Sequence, residues 1–189
     1  MRHKYETLGL VLARSHIGEA NTSIIFLNPD LGLVHARAQG LRNTGAKLAS
    51  SLATLTESRV VLVRGKEGWR VTGAVLEENW FARLPEAAPR ERLARVTGLL
   101  LRLVAGETQD SELFPVVKAF FVALATLPED RHEAVEILAV LRILASLGFD
   151  TGEIPEDTAL FSAFSFAEII ENRAGYIARI NNGIAASEL

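Results

Sequence analysis

The hydrophobic pattern of this chain changes character once, and the change falls on prolines. Up to about residue 80, apolar residues come in short runs and alternations; from about residue 90 they recur every three to four positions. Between the two lies Pro85-Glu86-Ala87-Ala88-Pro89. Alternate side chains of a strand face opposite sides, whereas residues three and four apart share one face of a helix. The chain is therefore expected to be α+β with its two element types segregated: a strand-built domain over 1–81, a linker over 82–89 and an α-helical domain over 90–189.

In the first part, Leu8 to Ala13 is apolar at every position, as in a strand covered on both faces. Thr22 to Leu27 is rich in β-branched residues and runs into the turn signal Asn28-Pro29-Asp30-Leu31-Gly32. Leu33 to Gln39 alternates, with Val34, Ala36 and Ala38 on one face and His35, Arg37 and Gln39 on the other. Arg59 to Arg64 and Trp69 to Leu76 flank Gly65-Lys66-Glu67-Gly68 as a hairpin. Five short strands, with a small helix near Ala46 to Ala53, suggest a small barrel such as an OB-fold.

In the second part, Leu93, Val96, Leu100 and Leu103 share a helix face within Arg90 to Val104. Asp110 or Ser111 can cap a helix that runs through Thr126, with Pro115 in its first turn. A third helix is expected over Arg131 to Leu147, closed by Gly148. Ser165-Phe166-Ala167-Glu168 reads as a capping box, and a last helix follows despite Gly175 and Gly183.

The 49% apolar and 23% charged residues are those of a folded chain rather than a disordered one. The longest apolar run, Ala119 to Ala125, is far below the ~18 residues that would suggest a membrane span. The apolar stretch behind Arg2 and Lys4 stops at Arg14, too soon for a signal-peptide core, so a cytoplasmic location is expected. No cysteine is present, which excludes thiolate metal sites and disulfides, and the four histidines are scattered. Neither a GxxxxGK[ST] nor a GxGxxG motif follows a strand. These residues suit a binding protein that is not an enzyme and takes no metal or other cofactor.

The formal net charge of −3 hides an asymmetry: ten basic against seven acidic residues up to Phe81, then ten against sixteen. Arg14, Arg37, Arg42, Lys47, Arg64 and Lys66 fall at strand ends or in loops of the basic part. Guanidinium and ammonium groups in such an array suit phosphates of any sequence, and the usual oligonucleotide face of this barrel is its second and third strands. Trp69 beside the basic turn reads as a core residue rather than a stacking platform. Arg92, Arg95 and Arg102 either extend that surface or pair with nearby acids.

Three stretches carry a family resemblance: Leu10 to Asn21 (LVLARSHIGEAN), Gly32 to Arg42 (GLVHARAQGLR) and Ala46-Lys47-Leu48. In that order they resemble the N-terminal domain of the RecO family of bacterial DNA-repair mediators. Glu112 to Pro115, Leu141 to Phe149 and the terminal Ile180 to Leu189 resemble its helical domain. The resemblance implies single- and double-stranded DNA binding, strand annealing, and assistance to recombinase loading on single strands. It also implies a RecR-type partner and contact with the acidic C-terminal tail of single-strand-binding protein. Arg131, Leu138 and Arg142 are the candidate residues for that tail, as cations and an apolar wall on one helix. Two departures stand out. The four-cysteine zinc site of many members cannot exist here, and the usual basic residue before the glycine of the third strand is Gln39. A protein-interaction adaptor with weak DNA binding and an RNA-binding OB-fold protein are the alternative readings.

Overall fold

A computed structural model describes residues 4–17, 21–41, 48–104, 112–155 and 161–187, with the side chains of 163 and 164 left aside. The chain forms two compact units, one of Met1–Arg83 and Gly106–Phe114, the other of Leu84–Ala105 and Pro115–Leu189.

The first unit is a closed barrel. Its strands are β1 (Lys4–Ile17), β2 (Asn21–Asn28), β3 (Gly32–Gln39), β4 (Thr56–Gly65) and β5 (Gly68–Asn79), in the order β1-β2-β3-β5-β4. All neighbours are antiparallel except β3 and β5, which close the barrel in parallel. β1 runs well beyond the expected Leu8–Ala13 because it serves two neighbours. Its first half pairs with β4 and its second with β2, and a register shift between Val11 and Ala13 turns it from one to the other. Gly9 allows the crossing, since a Cβ there would stand 3.1 Å from Cδ1 of Phe26.

The alternation read in β3 is the one observed: Val34, Ala36 and Ala38 are buried, and His35, Arg37 and Gln39 are exposed. Phe26, Ile24, Val60 and Leu62 complete the interior at 0% exposure. Each such side chain contributes roughly 1.5–3 kcal/mol of burial. Of the small helix expected near Ala46 to Ala53, residues 46 and 47 lie outside the described residues and 48–53 form turns. The hydroxyls of Thr56 and Ser58 donate to Ser51 O at 3.1 and 2.6 Å, occupying a carbonyl that a continuing helix would need. Leu52, at 0% exposure, joins the barrel core from this segment.

The helices are α1 (Trp80–Arg83), α2 (Ala87–Leu103), α3 (Leu113–Thr126), α4 (His132–Ser146), α5 (Ala163–Glu171) and α6 (Arg173–Ala186). A strand-built barrel followed by helices is thus the arrangement of an OB-fold with a helical part. α2 begins before Arg90, with Pro89 in its first turn, where a missing N–H is harmless. Pro115 likewise sits in the first turn of α3; the expected caps Asp110 and Ser111 lie outside the described residues. Gly148, at φ 79°, closes α4: its N–H donates to Ala145 O at 3.0 Å, and that of Phe149 to Leu144 O at 2.8 Å. The cap of α5 is Ser162 rather than Ser165, whose own N–H donates to the Ser162 hydroxyl while its side chain is fully buried. The earlier cap extends the helix by a turn.

α4 is buried almost along its whole length, against α2, α5 and α6. Glu136 receives Arg92 and, at 2.8 Å, Arg95; Glu133 receives Arg173 at 2.7 Å. Arg92 and Arg95 therefore pair with an acid rather than extend a basic surface. Gly183 marks the close approach of α6, because a Cβ there would lie 3.0 Å from Leu144 Cδ1 and 3.1 Å from Phe149 O. Gly183→Val is expected to destabilise the helical unit by about 2 kcal/mol in chemical denaturation. Gly175→Ala, where a Cβ meets nothing within 4 Å, is expected to stabilise it by about 0.5–1 kcal/mol.

Candidate nucleic-acid interface

Barrel closure places distant residues on one line. Arg37 of β3 is in register with Arg70 of β5, Arg70 with Val63 of β4, and Val63 with Lys4 of β1. Paired residues of neighbouring strands face the same side, and Lys4, Arg37 and Arg70 are all exposed. The line from Arg37 to Lys4 crosses three strand spacings, about 14 Å at ~4.8 Å each.

This line borders a groove of about 1010 Å³, which Arg64 and Lys66 also line. Five cations thus face it, with Glu67 as the one carboxylate in its lining among the described residues. Arg37 opposite Arg70 is unfavourable by itself, since like charges directly across a sheet repel. Glu67 relieves part of that repulsion through an ion pair with Arg37 at 2.8 Å. Both partners are well exposed, 48% and 83%, so the pair is weak and open to exchange for another anion.

The turn that carries Lys66 and Glu67 owes its tightness to Gly68, whose φ of 100° suits glycine. Arg64 is aimed by a cation–π contact, its guanidinium carbon 5.1 Å from the Trp69 ring centroid. Trp69 itself is 4% exposed within the barrel core. Asn21 and Gln39 add neutral amides to the lining. The arrangement holds multiple donors at fixed spacing for a chain of anions.

Of the six residues singled out from the sequence, Arg37, Arg64 and Lys66 are brought together here. Arg14 stands apart: it is half-buried on β1, in register with Ile24, and does not line the groove. Arg42 and Lys47 lie outside the described residues. The groove is centred on the β3–β5 closure and the β4–β5 turn rather than on β2 and β3, because closure lays Arg70 beside Arg37. Lys4 and Arg70 were not singled out. The outward position of Arg70, next to inward Trp69, was visible in the alternation, but its neighbour across the closure was not.

The residues expected to receive an acidic protein tail differ in exposure. Leu138 is fully buried, as are Leu141 and Leu144, so α4 spends its apolar side chains on the helical core. Arg131 ends a short 3₁₀ turn and pairs with Asp130 at 3.6 Å. Arg142 lies with its guanidinium carbon 5.5 Å from the Phe161 ring centroid, and burial lowers its pKa.

Among the described residues, no three of His, Cys, Asp and Glu stand close enough to share a metal ion. Without a cysteine the chain does not fit the thiolate zinc site of many members of the resembled family. No helix of the described residues is long and apolar enough to cross a membrane.

The sequence is similar to known proteins. The chain is 36% identical over 72 residues to the DNA repair protein RecO of Dehalococcoides mccartyi, a match over 38% of this chain and 28% of that protein. It is 30% identical over 145 residues to the DNA repair protein RecO of Heliobacterium modesticaldum, covering 77% of this chain and 52% of that protein. The chain thus spans about half the length of the Heliobacterium relative and less of the Dehalococcoides one. No family model matches the chain. With these relatives, and with a closed five-stranded barrel followed by helices, the chain is similar to the RecO family of DNA repair proteins.

Proposed function

We propose that this chain is a non-enzymatic, DNA-binding mediator of repair and recombination that anneals complementary strands and assists recombinase loading on single-stranded DNA. The barrel over 1–81 is the DNA-binding domain and the helices over 90–189 form the second domain, joined at 82–89. The cationic line Arg37–Arg70–Lys4 supports the reading most directly, with Arg64 and Lys66 beside it. Two complementary strands repel through their phosphates; guanidinium and ammonium groups screen that repulsion, and base pairing then drives the product. The chemistry calls for no hydrolysis and no cofactor. Arg14, Arg42 and Lys47 are further phosphate contacts in this reading. The partners are single- and double-stranded DNA, a RecR-type protein and the tail of single-strand-binding protein. Its place of action is the cytoplasm, at the nucleoid.

The test is oligothymidine binding by fluorescence anisotropy across a salt series. With between four and all eight of these cations in contact with phosphates, the log–log slope is expected to be about −3 to −6, at ~0.7 per contact. Glu67→Gln removes the anion that competes for Arg37 and is expected to tighten binding about three- to tenfold, an effect of ~1 kcal/mol. Absence of binding at low salt, or a flat salt dependence, would overturn the reading.

A further inference from the structure

At the start of β1, one residue from the groove-lining Lys4, an aromatic ring is left open to solvent at the mouth of the barrel, in register with inward Leu62. Tyr5 follows Lys4 on β1 and is 42% exposed, although its ring packs edge-to-face on Trp69, with centroids 5.2 Å apart and planes at 80°. Trp69 is held in the barrel core at 4% exposure, with the Arg64 guanidinium over its ring. The tyrosine is thus braced by a rigid neighbour while part of its own ring stays uncovered. Lys4 and Arg64, which line the groove, are its neighbours along β1 and across Trp69.

The geometry points to Tyr5 as a stacking platform for a nucleobase, set where a strand bound by its phosphates along Lys4, Arg70 and Arg37 would turn a base inward. This rests on the phosphate-binding reading above. Phosphate contacts alone do not distinguish single strands from duplex, because both present the same anion. A π face does, since the faces of paired bases are already stacked in duplex and those of a single strand are free. Tyr5 therefore gives the groove its preference for single strands.

The experiment uses the full chain and two probes: an oligothymidine and an oligomer of the same length with abasic sites throughout. The variants are Tyr5→Phe, which keeps the ring, and Tyr5→Leu, which keeps apolar packing against Trp69 but lacks a π face. Tyr5→Leu is expected to weaken oligothymidine binding at least about fivefold, within the range base–aromatic stacking supplies, with the salt slope unchanged. Its binding to the abasic oligomer should match the parent, and Tyr5→Phe should bind both probes as the parent does. The preference for oligothymidine over a duplex of equal length should fall by the same factor. Parent-like oligothymidine affinity in Tyr5→Leu would overturn the stacking role while leaving the phosphate groove intact. Equal losses on both probes would also overturn it, showing a packing role. A parent that bound neither probe would remove the groove reading and this one together. Circular dichroism and thermal unfolding of Tyr5→Leu separate misfolding from lost stacking; if it does not fold, parent affinities equal on the two probes would overturn the proposal.

Discussion

An Arg37→Ala, Arg70→Ala double variant is expected to bind oligothymidine about 30-fold or more weakly than the parent at low salt. Each removed guanidinium takes away a charge-assisted contact of about 1–1.5 kcal/mol once solvent exposure is allowed for, and two such losses give the factor. The log–log salt slope should become less negative by about 1.4, one increment of ~0.7 per phosphate contact. Folding should be undisturbed, because both side chains are exposed and their removal ends a like-charge juxtaposition across the β3–β5 closure. Anisotropy titrations at several salt concentrations check both quantities. An Arg14→Ala variant, altered outside the groove, is expected to lose much less. If Arg14→Ala lost as much as the double variant, or if the double variant bound like the parent, the binding surface would be the β1–β2 face. An Arg42→Ala, Lys47→Ala variant measures what the loop between β3 and β4 adds.

The second large effect concerns the helical unit. Arg179 of α6 holds the segment after α4: its Nε donates to Asp150 Oδ1 at 3.2 Å, one Nη to Oδ2 at 2.5 Å, and the other Nη to Glu153 O at 2.7 Å. The guanidinium lies 5.4 Å from the Tyr176 ring centroid, and Gly152 packs so close that a Cβ there would come within 2.5 Å of it. The Asp150 side chain is only 9% exposed. Arg179→Met keeps the stem and removes the charge, leaving a nearly buried carboxylate without this partner. The expected loss is about 3 kcal/mol, which lowers the unfolding midpoint by roughly 6–12 °C. An Asp150→Asn, Arg179→Met double variant should be less destabilised than the sum of the single variants, since the second change removes the stranded charge. Arg179→Met within about 0.5 kcal/mol of the parent in thermal unfolding would show that the clamp carries no stability.

Much of the barrel was legible because alternation is local. β2, β3 and the β4–β5 hairpin fall where runs of Thr22 to Leu27, Leu33 to Gln39 and the glycine-flanked turn place them, each somewhat longer than expected. Strand ends were missed where polar residues such as Lys4, Asn21 and Thr56 pair only because a neighbour is present. The motif at Ser165 fits a cap, yet Ser162 offers the same oxygen a turn earlier and lets Ser165 be buried. Glycine in α6 reads as a weakness by propensity; Gly183 is instead the point where two helices touch.

The amino-acid sequence by itself determined the two kinds of secondary structure, the outward face of Arg37 and the turn that presents Lys66, because each depends on residues a few positions apart. Residues held in order along the chain also carry its similarity to RecO proteins. Which exposed cations share a line, and which apolar residues are already spent, depends on packing between distant segments. Arg37, Arg70 and Lys4 meet because β3 and β5 close the barrel in parallel and β1 bends from β2 to β4, pairings between segments far apart in sequence. Leu138 is withdrawn from any surface because α2, α5 and α6 cover α4. Periodicity states how a side chain points from its own backbone; what lies opposite it is settled by long-range packing.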